Sequence, residues 1–339
     1  LKPLIKNAER KETKNKYIAA LILKSILCLL FCTIVVISFG KVFGEENNVV
    51  GVVTVISLLN FRFSNLDFKV RQAALTIVGI FGVLSISPYI ASISNPFLGF
   101  IINFISIIGI LILTCHNVRL CNHSILVLSY FLLYGYKVEN TEILINRIIG
   151  LIFGGILVAS IFYIKQRKIE FKNTFIDIIN DVDFNTERTK WQLKFAFVTT
   201  SAIMIGEFLH IPRVMWIGIA CMSVFHPDKS QLQIRYKQRM LYMVLGCLMY
   251  MSIYFLIPQQ FRGLIGLIGG VMIGFSGTYK WQTVFNAFGA LSAATPILGF
   301  GGAIIFRILN NVFGALYSKG FDYIINFIDN KEFANVNEA

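Results

Sequence analysis

Arg147 and Arg307 stand inside long apolar runs, each in the pattern Arg-x-x-(Gly/Asn)-x-x-x-Gly. Gly150 and Gly154 follow the first, Asn310 and Gly314 the second. At about 3.6 residues per turn these positions share one helix face, so the small residues let a neighbouring helix approach beside the guanidinium. A cation at that depth costs at least a few kcal/mol unless it meets water, a carboxylate or a ligand. The chemistry this suits is an electropositive cavity receiving a small organic anion, with bidentate contact to a carboxylate. The plainer alternative is snorkelling to the outer interface. Asn286, Asn310 and Asn311 add amides at similar depth, either lining the same cavity or bonding between helices.

Protonatable groups in apolar surroundings are few. Glu207, in MIGEFLH, could carry a proton for an antiporter or pair with Arg147 or Arg307. His226, in VFHPDK, could titrate near neutral pH at the inner end of its helix. Lys24 and Lys194 lie near the inner ends of two corresponding helices, where snorkelling explains them as well as a substrate vestibule does. Arg71 and Arg239 each begin a helix after a basic loop; fixing topology and binding lipid phosphate is their expected work, with gating of a cytoplasmic entrance as the second reading.

Other chemistry is not expected. Cys115, His116, Cys121 and His123 match no standard zinc spacing and read as a short cytoplasmic turn. The sequence has no Walker motif, no HExxH and no nucleophile elbow, so neither an enzyme nor a resident cofactor or metal is expected. The six cysteines fall mostly in apolar runs, as small packing groups rather than disulfides. Gly266, Gly270 and Gly274 form a small-xxx-small ridge for close helix packing, within the bundle or at the interface of a homo-oligomer.

These residues need membrane helices to place them. Of 339 residues, 56% are hydrophobic and only 14% charged, against about 25% charged in soluble domains, and the mean hydropathy is +0.69. Too few charges remain to clothe a water-facing surface. The chain reads as an all-α polytopic protein of a bacterial inner membrane, with about twelve transmembrane helices at about 20 residues each. Apolar runs fall at 17–40, 48–61, 72–90, 97–114, 121–136 and 141–164, then at 191–210, 213–226, 238–257, 261–277, 283–298 and 300–320. Outside them are a basic N-terminal arm (1–16), a polar linker (165–190) expected as a cytoplasmic helix across the bundle, and a tail (321–339). The arm is too polar for a signal peptide, so the first run is expected to stay as a span.

Charge sets the orientation. With both termini cytoplasmic, only Lys41, Lys137, Arg213 and Arg262 of the 31 basic residues fall in outside loops, and Lys24, Lys194, Arg147 and Arg307 fall within spans. The rest are inside, as the positive-inside rule requires. The net charge of +13 therefore reports orientation against an anionic bilayer leaflet, and no nucleic-acid partner is expected.

The chain also resembles itself. LILKSIL parallels WQLKFAF, pairing Lys24 with Lys194; a longer stretch pairs Arg71 with Arg239; NRIIGLIFGG parallels FRILNNVFGA, pairing Arg147 with Arg307. Two six-helix halves, 17–164 and 191–320, would then be a parallel repeat about an axis along the membrane normal.

From Trp216 through Pro227-Asp228 to Arg239 and Gly246, a tryptophan helix ends in a proline-acidic turn before a basic loop and an Arg-led helix. This stretch resembles the fusaric acid resistance and aromatic acid exporter superfamily, in a short form lacking the large cytoplasmic domain. The first half departs from the pattern, having neither the tryptophan nor the Pro-Asp. The resemblance implies proton-driven export of aromatic carboxylates or related amphipathic compounds, often beside a periplasmic adaptor of the membrane-fusion type. The membrane part is also similar to the plant malate-channel family. A passive anion channel, and a non-transporting subunit that anchors an adaptor, therefore stay open beside the exporter.

Overall fold

The computed structural model describes residues 4, 5, 7 and 10–337, without the side chains of Lys229 and of 328 onward. Lys2 and Lys6 of the basic arm lie outside the described residues. Every regular element among them is helical: α1 (Lys11–Phe43), α2 (Asn48–Phe61), α3 (Val70–Ile93), α4 (Pro96–Thr114), α5 (His123–Gly135), α6 (Thr141–Gln166), α7 (Phe175–Asn180), α8 (Glu187–Phe208), α9 (Met215–Val224), α10 (Lys229–Leu256), α11 (Leu264–Phe275) and α12 (Tyr279–Asn337), with three single-turn 3-10 segments. Each apolar run falls on one of them. The last two share α12, which Gly299 interrupts at φ 71, a backbone angle that a residue with a Cβ rarely adopts. The protein is a multi-pass helical membrane protein. By length and composition, six helices among the described residues can cross a bilayer, and three shorter apolar ones accompany them.

Helix ends follow local chemistry. Asn95 caps α4 by accepting from the Leu98 amide, with Pro96 in the first turn, where a missing N–H costs nothing. Asn140 and Thr186 cap α6 and α8 in the same way. Within the linker, the regular structure wholly inside 165–190 is the short α7. There Thr174 and Asp177 make a reciprocal capping box, and the Phe175 amide donates to Gln72 Oε1 on α3 at 2.8 Å. The basic arm is shorter than expected, since α1 is already helical from Lys11.

The chain divides into two compact units, Val36–Tyr236 with Asn310–Ala339 and Leu1–Val35 with Lys237–Leu309. In the first, α5 is the hub: α2, α3, α4 and α9 all pack on it, while α6 packs on α2 and α3, and α8 on α4 and α9. The buried side chains of α5 include Leu126, Val127, Tyr130, Phe131 and Tyr134. At 13 residues the hub is roughly 20 Å long, short of the roughly 30 Å hydrocarbon core. Both its ends therefore lie inside protein, where polar backbone is tolerated only if side chains satisfy it.

In the second unit only the first glycine of the α11 ridge is half-buried; Gly270 and Gly274 are exposed. A Cβ on Gly266 would meet Ser292 at 3.2 Å, and one on Gly270 would meet Leu29 at 3.3 Å. These contacts are within the unit, and the exposed Gly270 and Gly274 leave the homo-oligomer reading of the ridge open as well.

Candidate functional site

The N-terminal end of α5 is closed by Asn122, fully buried, whose Nδ2 donates to the carbonyls of Asn65 and Thr114 while its Oδ1 accepts from Asn60 and Ser64. No charge is used there. This junction also accounts for the turn of Cys115 to His123: Cys115 and His123 are buried in it, the imidazole against the rings of Trp191 and Phe195.

The C-terminal end of α5 is charged. Helices leave their last carbonyls without partners, with the negative end of the dipole beside them, so cationic donors are favoured there. Arg147, on α6 and 4% exposed, donates from Nη1 to the Tyr136 carbonyl and from Nε to Asn47 Oδ1 at 3.0 Å. Asn47 in turn donates to the carbonyls of Phe43 and Ile143, which ties the start of α2 to the start of α6. From the other side Arg213 reaches the Gly135 carbonyl at 3.4 Å, its guanidinium lying over the Tyr136 ring. Asn310 on α12 holds the Arg213 segment by donating to the carbonyls of Pro212 and Arg213 at 2.9 and 3.1 Å.

A part-buried acid–hydroxyl pair completes this end. Tyr134, two residues before the Tyr136 cap, donates to Glu207 Oε1 at 2.8 Å. One turn deeper Tyr130 donates to Asn103 Oδ1, also at 2.8 Å. Glu207 is half-buried at the last turn of α8. Arg147, Asn310 and Glu207 are thus gathered around one helix terminus with Arg213, which the sequence reading had left in an outside loop. The signal for Arg213 was available: it is one of four basic residues that the charge count assigns to the outside, where the positive-inside rule gives it no topological work.

The same packing recurs at two helices. Gly154 of α6 lies against Thr54 of α2. Gly314 of α12 lies against α9, where a Cβ would stand 2.7 Å from the Ile217 carbonyl. In each case a glycine seven residues after the buried arginine seats its helix against a short one.

The remaining candidates go elsewhere. Arg307 and Arg239 are 4% and 3% exposed and close enough to repel, with Cys247 beside Arg307. Arg239 was expected at a helix start. The helix begins instead at Lys229, which carries Arg239 inside the unit because the basic loop itself continues the helical register. Arg71 is exposed at the second position of α3, and Lys24 is exposed midway along α1 rather than near a helix end. Lys194 is half-buried on α8, and Asn286 is exposed on α12, outside either buried cluster. His226, just past α9, accepts from the Asp228 amide through Nδ1. Burial and then Arg235 push its imidazole below the usual value, with Asp228 acting in the opposite sense.

Residues 201–318 match the family model described as fusaric acid resistance protein-like. The matched stretch contains Glu207, Arg213, Arg239, Arg307 and Asn310, together with the Trp216–Gly246 segment on which the resemblance was read. No curated protein and no solved structure matches the chain.

Proposed function

We propose that this chain is a secondary transporter that exports small organic anions, aromatic carboxylates or related amphipathic compounds, from a bacterial cell in exchange for protons. In this reading it crosses the inner membrane about twelve times as two parallel repeats with both termini cytoplasmic. The family match over the second half supports efflux in general. The observation that carries the proton reading is the Tyr134–Glu207 hydrogen bond beside the Arg147 and Arg213 guanidiniums. A carboxylate among apolar helices is costly unless it has work or a partner, and here it sits where a proton from the outer side can reach it.

The cycle follows from what each group can hold. Deprotonated Glu207 accepts from Tyr134 and ties α8 to α5. Protonation from outside weakens that tie and frees the unloaded carrier to return, and the proton leaves on the inner side. Arg147 and Arg213 hold neutral carbonyls, and an entering carboxylate is a stronger bidentate acceptor than a carbonyl. The anion therefore competes for them as α6 moves, and Asn310 keeps the Arg213 segment in register. A periplasmic adaptor of the membrane-fusion type would extend the path beyond the membrane.

The test is uptake of a labelled aromatic carboxylate such as benzoate into inside-out proteoliposomes. An acidic lumen should raise uptake several-fold in the native chain, and Glu207→Gln should leave a basal flux that no longer responds to the gradient. Uptake identical with and without the gradient would overturn proton coupling and leave the passive channel.

A further inference from the structure

A cavity of about 760 Å³ lies between α3 and α4 under the short helix α7, within the range of about 300–1,000 Å³ typical of ligand pockets. Along α3 it runs from Gln72 to Ser87, roughly 22 Å at 1.5 Å per residue. Its lining is apolar apart from neutral groups such as Thr76, Ser87 and Ser106, and no charged side chain contributes. It therefore differs in kind from the guanidinium sites.

Its width comes from two glycines on opposite walls. Gly79 on α3 and Gly109 on α4 have nothing within 4 Å of where a Cβ would stand. Gly154 and Gly314 are glycines because a helix presses on them; Gly79 and Gly109 keep space open. The rim is exposed and apolar, with Leu75 73%, Ile105 62% and Ile176 64% exposed, so the cavity opens to the hydrocarbon side of the bundle.

The inner mouth is basic. Arg71 is one turn before Leu75 on the same face of α3, and Lys69 precedes it; both are exposed. The Lys69 amide donates to the Asn173 carbonyl, which fastens α7 over the mouth, where Phe175 and Ile176 roof the cavity. Apolar length, lateral opening and cationic inner end together match an anionic amphiphile of the cytoplasmic leaflet.

We propose that this cavity holds one acyl chain of an anionic phospholipid, whose phosphate lies on Lys69 and Arg71. Lipid occupancy does not depend on solute movement, so it stands or falls separately from transport.

The experiment is native mass spectrometry of the purified full chain, titrated with phosphatidylglycerol, with phosphatidylcholine of the same chains, and with palmitate. Phosphatidylglycerol should be retained best. Gly79→Leu and Gly109→Leu, on opposite walls, should each lower its affinity about tenfold, and Lys69→Gln with Arg71→Gln should reduce it to the phosphatidylcholine level. If either glycine variant fails to fold, Ile176→Trp on the exposed face of α7 reports instead: phosphatidylglycerol brominated on its chains should quench the added fluorescence more than brominated phosphatidylcholine. Native-like phosphatidylglycerol binding in monodisperse glycine variants, or equal quenching by the two lipids, overturns the proposal. Palmitate that displaces phosphatidylglycerol at equal concentration overturns the phospholipid in favour of a free fatty acid.

Discussion

At the scale of single residues, the buried arginine of α6 answers a need created by backbone. The hub helix ends among other helices with its final carbonyls part-buried, and Arg147 and Arg213 supply the donors. Replacing Arg147 by Met would leave the Tyr136 carbonyl and Asn47 Oδ1 without that donor at a site 4% exposed. A loss of about 3 kcal/mol is expected, the range for breaking a buried charged contact, measurable as a lower denaturation midpoint in detergent. His226 gives a pH signature. Its imidazole is held below the ordinary value by burial and Arg235, facing His123 as well, so the folded state prefers the neutral form. The unfolded chain binds more protons below about 6.5. This contribution to stability is therefore complete above that value and is lost as pH falls towards the depressed folded value. His226→Gln should flatten the fall in melting temperature between about pH 6.5 and pH 5. Asp228 and Asp177, held below the carboxylate range by hydrogen bonds from Ser230 and Thr174, act only at lower pH.

At the scale of elements, the glycines fall into two groups with opposite expectations. In lipid no hydrophobic force draws helices together, so association depends on close packing at small residues. Gly314→Leu must displace the α9 backbone at the Ile217 carbonyl and should cost about 1–3 kcal/mol or more. Gly82→Ala on α3, with nothing within 4 Å of the new methyl, should leave the melting temperature unchanged. Detergent melting curves of the two variants side by side test the distinction. The short helices α2, α5 and α9 are cheap to embed only because longer helices surround their ends, which is why their boundaries carry side-chain donors instead of lipid-facing residues.

For the whole molecule, orientation rests on charge. Reporter fusions at residues near 180 and at the C-terminus should both behave as cytoplasmic, and a cysteine introduced near Lys137 should react with an impermeant thiol reagent applied from outside. A reporter result placing 180 outside would invert the proton and anion assignments together. The division into Val36–Tyr236 with Asn310–Ala339 and Leu1–Val35 with Lys237–Leu309 cuts across the linear halves: α1, α10 and α12 each contribute to both units.

The amino-acid sequence by itself determined that the chain is helical and membrane-embedded, and where its helices fall, because hydrophobicity and caps are local properties written residue by residue. It also marked Arg147, Asn310 and Glu207 as out of place in their surroundings, since the cost of a polar group in hydrocarbon can be read from its neighbours alone. Only the tertiary structure decided that these three meet at the C-terminus of α5, that Arg213 joins them, that Arg239 is buried with Arg307, and that Asn286 and Lys24 face outward. Those outcomes depend on which carbonyls are left without partners once short helices are enclosed by long ones. No single stretch of chain holds that information, because it is produced by packing.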